Sequence, residues 1–216
     1  MNDKWRKFFS RYFELILLAF TILFLLIKPN MRSYGERISI LFFGMLSFYY
    51  LASGILVFLD KNRIGRIMRL MYLFGLWSVS VMVIAIMTRI MLLQSDKALL
   101  IIAICSTIGL LGYIILYYRR LGDEDRKALL YLIQPLFIRA VFAMLVGIAF
   151  LVGSNYSIYR MFGTYRRDPV YIEKIVQAYE NPKDSVMLNN YKTYDDSIRT
   201  QKSEVETETP SSIPSN

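Results

Sequence analysis

The sequence predicts an all-α protein: a polytopic bundle of about five transmembrane helices with a short helical, partly disordered C-terminal tail. Of the 216 residues, 55% are hydrophobic, and most of these fall into five long apolar runs separated by short, basic, turn-rich connectors. A helix needs about 20 apolar residues to cross the hydrocarbon core of a bilayer. Several runs are apolar on every side, whereas a soluble helix shows one apolar stripe. The predicted spans lie at about 12–28, 38–59, 70–93, 98–118 and 129–153.

The first run follows a basic and aromatic segment, residues 1–11, and begins at Tyr12. It is the shortest of the five and ends in a Lys-Pro pair with no small-residue cleavage pattern, so we expect a retained span and no cleaved signal peptide. Glu14 lies near its start, three residues after Arg11. That spacing places the two side chains on one helix face and predicts an ion pair between them.

The second run contains Tyr49 and Tyr50, whose hydroxyls need hydrogen-bond partners inside the membrane. Arg139 of the fifth run or a bound ligand are the expected partners. A short polar connector leads to the third run, so the two runs form an antiparallel hairpin. Arg89 lies near the outer end of the third run. We expect its side chain to extend to the lipid headgroups; the alternative is that it helps Arg139 to hold an anion.

The fourth run contains Gly109 and Gly112 close to Ser106. Small residues on one side of a membrane helix let another helix approach closely, so this side is predicted to pack. The glycines are not a phosphate-binding loop, because no strand precedes them and no lysine follows. Cys105 lies in the same run, and a single cysteine provides no disulfide framework.

The fifth run carries Arg139 in its middle. Residues 123–134 are expected to form an interfacial helix, with Pro135 in the first turn of the true span. At 100° per residue, Ala143 and Gly147 share a side with Arg139 and predict a helix contact there. No carboxylate is expected at the depth of Arg139, since Glu14 lies near the end of its own run.

Arg139 is the main candidate for a functional site. An ionisable residue at membrane depth is costly and marks a site by default. It would bind an anion, a lipid phosphate or backbone carbonyls, with Tyr49 or Tyr50 beside it. The alternative is that Arg139 belongs to the first turn of its span and extends to the headgroups.

The charge pattern predicts a cytoplasmic N-terminus. Twelve basic residues flank the first four runs on the side of the membrane that holds the N-terminus, and five flank them on the opposite side. The positive-inside rule assigns the richer side to the cytoplasm. Four more basic residues follow the fifth run, and the rule would place them in the cytoplasm too, which requires an even number of crossings. The apolar length of the runs instead favours five crossings and an external tail. The compact size favours the plasma (inner) membrane of a bacterium.

The polar tail, residues 154–199, carries two Asx-Pro pairs that predict helix starts, Asp168-Pro169 and Asn181-Pro182. They indicate helices at 169–180 and 183–194, and the segment between Pro169 and Tyr194 is the expected contact for a protein partner. Residues 200–216 are rich in Ser, Thr, Glu and Pro and are predicted to be disordered.

The composition argues against several functions. The chain has no histidine, the commonest general base and a common ligand of zinc and haem, and we expect no metal and no cofactor. The net charge of +9 lies at helix ends and suits lipid headgroups, with no nucleic-acid motif beside it. The sequence therefore favours a non-enzymatic accessory or scaffolding subunit, as a monomer or an oligomer, over an anion or anionic-lipid channel or carrier using Arg139. A membrane enzyme is the third hypothesis, with a cation held by four acids: Asp60, Asp123, Glu124 and Asp125.

Overall fold

A computed structural model describes residues 3–28, 34–59 and 65–207, and within them every regular element is an α-helix. The chain forms two compact units, Met1–Thr164 and Tyr165–Asn216. In chain order the helices are α1 (Asp3–Ile27), α2 (Tyr34–Leu59), α3 (Arg66–Ile90), α4 (Asp96–Arg120), α5 (Asp123–Val152), α6 (Asn155–Phe162), α7 (Pro169–Glu180) and α8 (Ser185–Thr207).

The first unit is a bundle built to cross a membrane, as the sequence predicts. Its exterior carries large apolar side chains at high exposure, for example Phe48 at 69% and Leu56 at 68%. Water solvates such a surface poorly and lipid solvates it well. The apolar segment of α1, Tyr12–Ile27, is shorter than a typical span. The four candidate spans among the described residues are Arg37–Leu59, Arg66–Ile90, Asp96–Arg120 and Ile133–Val152.

Helix α3 is the centre of this bundle. It packs against α2, α4 and α5 and touches α6, while α1 packs along α2. Met82 and Ala85 of α3 are fully buried, as are Leu100 of α4 and Leu136 of α5. These side chains form one continuous core, which fixes the relative positions of the polar groups described below.

Two glycines allow α5 and α3 to approach closely. A Cβ atom on Gly147 of α5 would lie 2.6 Å from Sδ of Met82, and one on Gly75 of α3 would lie 2.7 Å from Cδ2 of Leu136. Real Cβ atoms do not come so near to a neighbour, so a larger residue at either glycine would force the buried side chain of Met82 or Leu136 to move. Ala143, on the same side of α5 as Gly147, also packs against the core.

Helix α5 differs from the sequence expectation at its start. It runs without interruption from Asp123 to Val152 with Pro135 inside it, and its candidate span begins at Ile133. The helix is therefore not interrupted before the span, but the span begins two residues before Pro135, so Pro135 lies in its first turn as the sequence predicts. An interior proline removes one backbone hydrogen bond, but membrane helices tolerate it where neighbouring helices compensate, and Leu136 beside it is fully buried.

The connection between α3 and α4 is tight. Leu92 and Ser95 adopt the left-handed conformation, with φ of 50° and 67°. Non-glycine residues rarely adopt it, and each such residue costs about 1 kcal/mol. This cost is offset by the buried polar contacts that Asp96, the first residue of α4, makes with the end of α3.

The predicted tail begins later than residue 154. Ser154 caps α6, its Oγ accepting from the backbone N of Ser157 at 3.1 Å, and α6 belongs to the first unit. The second unit is a helical hairpin of α7 and α8. Helix α8 continues to Thr207, past residue 200 where the sequence predicts disorder to begin, and residues 208–216 lie outside the described part of the chain.

Candidate functional site

Arg139 forms a two-point ion pair with Glu14, which the sequence analysis placed at a different depth. Nε of Arg139 donates to Oε1 of Glu14 at 2.6 Å, and Nη2 donates to Oε2. The hydroxyl of Tyr50 donates to the same Oε1 at 3.0 Å. The expectation that no carboxylate lies level with Arg139 is therefore wrong. We call Glu14, Tyr50 and Arg139 the Arg139 cluster.

The Arg139 cluster joins three helices, and its members in α2 and α5 lie inside candidate membrane spans. Glu14 of α1 is 9% exposed and Tyr50 of α2 is 6% exposed, while the side chain of Arg139 in α5 is 32% exposed. A guanidinium that binds a carboxylate at two points is the strongest ion-pair geometry available to a protein. The pair carries no net charge, so it attracts a further anion far less than a lone arginine would.

Tyr49 lies beside the cluster and is half-buried. Its ring is 5.7 Å from the ring of Tyr50 and 5.6 Å from that of Phe13. It thus shields the ion pair from one side. Tyr50 and Arg139 both donate to Glu14, so these two predicted site residues belong to one cluster. The sequence instead predicts that Glu14, which connects them, pairs with Arg11. The side chain of Arg11, the predicted partner of Glu14, lies outside the described residues.

One sequence signal indicates this pair in retrospect. Thirteen residues separate Glu14 from the end of α1 at Ile27, and thirteen separate Arg139 from the end of α5 at Val152. At 1.5 Å per residue both lie about 20 Å from the end of their helix. Counting from the C-terminal ends therefore places the two charges at one depth.

Arg89 forms a second polar network, and the prediction that its side chain extends to the lipid headgroups is wrong. Its side chain is 1% exposed and forms an ion pair with Asp96, with 3.1 Å between Nη1 and Oδ2. Nη1 also donates to Oδ1 of Asn155 at 2.6 Å, and Nη2 to the Gly153 carbonyl at 2.9 Å. Nε donates to the carbonyl of Phe150 at 3.2 Å.

This Arg89 network fastens the ends of four helices together. The carbonyls of Phe150 and Gly153 belong to the C-terminal end of α5, which has no intrahelical donors of its own. Asn155 begins α6 and Asp96 begins α4. Arg89 thus satisfies acceptors from three other helices. It is separate from the Arg139 cluster in the fold, and the predicted cooperation of the two arginines on one anion has no geometric support.

Serine pairs connect the helices between these networks. Ser47 of α2 and Ser80 of α3 lie 2.7 Å apart, hydroxyl to hydroxyl, and Ser78 of α3 lies 3.0 Å from Ser106 of α4. Such hydrogen bonds between membrane helices contribute about 0.6 kcal/mol each. Ser106 therefore makes the helix contact expected of its run.

Gly109 and Gly112 do not make that contact. A Cβ atom on either residue would meet nothing within 4 Å. Both point away from the core of the bundle, and Cys105 is exposed on the same helix. The predicted close packing at these glycines is wrong, because no neighbouring helix comes within contact distance of either position.

The second unit has its own polar core. The hydroxyl of Tyr171, which is 3% exposed, donates to Oδ1 of Asp195 at 3.0 Å and lies 3.2 Å from the hydroxyl of Tyr191. Asp168 accepts from the backbone N of Tyr171 at 3.0 Å and from the Tyr194 hydroxyl at 3.1 Å. Desolvation and this bond raise the pKa of the Tyr194 hydroxyl. The tail helices are thus fastened to each other by side chains.

No group of three or more metal-ligating side chains occurs among the residues that the structure describes. Asp60 and the side chains of 123–125, which the cation hypothesis needs, lie outside that part. Searches of protein-family models, curated proteins and solved structures found no match to this chain.

Proposed function

We propose that this chain is a non-enzymatic integral membrane protein that acts as an accessory or scaffolding subunit, with its C-terminal hairpin as the docking element for a protein partner. One observation carries the proposal. The hairpin of α7 and α8 is internally satisfied by its tyrosine and aspartate contacts, yet it leaves an open groove at its turn. A rigid element with an unfilled groove suits recognition.

The chemistry of the groove indicates the kind of partner. It has a volume of about 590 Å³ and is lined by Lys183, Lys192 and Val186, with Asn189 and Asn190 between them. Val186 is 66% exposed. Two ammonium groups beside an exposed apolar side chain favour a partner segment that offers carboxylates next to an apolar residue.

The bundle supports a structural role for the membrane part. Glu14 neutralises Arg139, and Asp96 neutralises Arg89. Both arginines are used to join helices, which leaves neither as a lone intramembrane charge for catalysis or permeation. The carrier hypothesis thereby loses its main support.

The register of the helices supports five crossings. The Arg139 cluster sets α1, α2 and α5 level at one depth. In each helix the cluster residue lies thirteen residues, or about 20 Å, from the same end of the bundle. These ends are Ile27 in α1, Arg37 in α2 and Val152 in α5. Helix α1 thus reaches as far as its neighbours despite its short apolar segment. With a cytoplasmic N-terminus, five crossings put the hairpin on the external face.

The test is a partner assay on the full chain. Proteins crosslinked to the wild-type chain in intact cells are identified, and the assay is repeated with Lys183→Glu/Lys192→Glu and with Val186→Asp. We expect one partner to be lost from both variants and retained by Arg167→Glu, a charge reversal at an exposed position outside the groove. Identical partner sets for all four proteins would refute the docking role.

The carrier hypothesis has its own test. Purified protein in liposomes is assayed for chloride and phosphate flux, and we expect rates equal to those of protein-free liposomes. Flux through the wild-type protein that is lost in Arg139→Ala and partly kept in Arg139→Lys would instead show that the chain is an anion carrier. It would refute the proposed function.

A further inference from the structure

We propose that the crevice between α3 and α4 is a binding site for an anionic phospholipid, which places an acyl chain in the crevice and its phosphate at Arg120 and Arg66. The crevice has a volume of about 370 Å³. Leu70, Phe74, Leu110 and Tyr113 form much of its wall, and the hydrogen-bonded hydroxyls of Ser78 and Ser106 lie at its inner end.

Gly109 lies on the same side of α4 as this wall. It follows Ser106 by three residues and precedes Tyr113 by four, the spacing of one helix face. A side chain at this position would meet nothing within 4 Å, so the missing side chain leaves the space open. Glycine inside a helix costs about 1 kcal/mol relative to alanine, and an open wall for a ligand accounts for it here.

The mouth of the crevice is basic. Arg120 follows Tyr113 by seven residues, two turns further along the same face of α4. Arg66 precedes Leu70 by four residues on α3. Both arginines are exposed, and neither forms an ion pair with any other side chain that the structure describes. A basic mouth above an apolar crevice matches a lipid that has an anionic headgroup.

The dimensions also fit one lipid. From Ser106 to Arg120 the helix rises over fourteen residues, or about 21 Å. One leaflet contributes about 15 Å of hydrocarbon. An acyl chain that ends near Ser106 covers about 15 Å of this rise, and the headgroup region, about 5–7 Å thick on each side of the bilayer, carries the phosphate to the level of Arg120. A soluble phosphate compound would use the mouth and leave the apolar wall empty.

Trp77 provides the measurement. Its ring stacks on that of Phe74, with 6.5 Å between centroids, and Phe74 lines the crevice. Trp5→Phe leaves Trp77 as the single tryptophan. The full chain is reconstituted in phosphatidylcholine, and phosphatidylglycerol with brominated acyl chains is added at increasing mole fraction. Brominated phosphatidylcholine, added in the same series, measures how far Trp77 is quenched by lipid that has no anionic headgroup.

We expect brominated phosphatidylglycerol to quench Trp77 with an apparent affinity about tenfold above that of phosphatidylcholine. Arg120→Gln and Arg66→Gln should each lower this preference about fivefold, since each basic group near the surface contributes about that factor. Lys97→Gln, an exposed charge at the other end of α4, should leave it unchanged.

Gly109→Leu separates the crevice from simple surface charge. It fills the wall without changing any charge and should abolish the preference. Gly44→Leu is the matched control, because a Cβ atom on Gly44 would also meet nothing within 4 Å, but this glycine lies on α2, away from the crevice. Circular dichroism of all variants reports whether they fold as the wild type does.

Three results would overturn the proposal. Equal quenching by the two brominated lipids would show that there is no anionic-lipid site. Wild-type preference in Gly109→Leu would show that charge alone attracts the lipid. Full displacement of the lipid by millimolar glycerol 3-phosphate would show that the ligand is a soluble phosphate compound.

Discussion

Arg139 of α5 and Glu14 of α1 are 125 residues apart in the chain and form a two-point ion pair inside the bundle. Tyr50 of α2 donates to the same carboxylate. The pair therefore links the first helix of the bundle to the last span, and its contribution to stability can be measured by replacing either partner.

We expect Arg139→Ala to lower the free energy of unfolding by about 2–3 kcal/mol, because Glu14 then remains charged in an apolar site. The double variant Glu14→Gln/Arg139→Ala should recover at least half of this loss, because no unpaired charge remains. The measurement is an SDS titration followed by circular dichroism. Additive losses in the double variant would mean that the two groups do not interact.

Replacement of Arg89 should cost more than replacement of Arg139. Arg89→Met removes a cationic donor from the buried Asp96 and Asn155, and we expect a loss of about 3–5 kcal/mol in the same titration. Arg89→Lys should restore little, since an ammonium group cannot reach the acceptors that the planar guanidinium holds. Lys97→Gln, which changes an exposed charge nearby, should stay within about 0.5 kcal/mol of the wild type. A stable Arg89→Met protein would contradict the fastening role of this network.

The two kinds of glycine in the bundle should respond oppositely to a larger side chain. Gly147→Leu forces a side chain into Met82 and should destabilise the bundle by about 1–3 kcal/mol. Gly112→Leu faces open space and should be neutral or slightly stabilising, because leucine is the better helix former. Thermal unfolding in detergent micelles compares the two. Equal melting temperatures for both variants would show that α5 does not rest on α3 at Gly147.

The position of the hairpin can be read by chemical labelling. Single cysteines at Ser185 and Ser203 in a Cys105→Ser background are treated with a membrane-impermeant thiol reagent on intact cells. Five crossings and a cytoplasmic N-terminus predict labelling before lysis. Labelling only after lysis would mean an even number of crossings and a cytoplasmic hairpin, and the partner would then have to be sought inside the cell.

The spans were predictable from the sequence because length and apolarity are local properties of a helix. The helix α7 was predictable for the same reason, since Asp168 and Pro169 mark its start within one turn. The partners of Arg139 and Arg89 were not, because they come from helices far away in the chain. Arg89 reaches Asn155, 66 residues later, in a helix that the sequence pattern did not show.

Gly109 and Gly147 illustrate the same limit. Each is a small residue in an apolar run, and the sequence assigns both to helix contacts. Only the rotation of each helix within the bundle decides that Gly147 meets Met82 and that Gly109 meets open space. That rotation depends on the whole core, so no local pattern encodes it.

The separation of Glu14 from its partner also has a consequence for biosynthesis. At about 5–20 residues per second, the ribosome needs on the order of ten seconds to add the 125 residues between Glu14 and Arg139. Tyr50 is made 36 residues after Glu14 and offers the carboxylate its first donor. During that interval α1 has no cation of the completed cluster beside it. The pairing of Glu14 with Arg139 therefore has to await the last span, and a nascent chain arrested before residue 139 should release α1 from the bilayer more readily than the finished protein does.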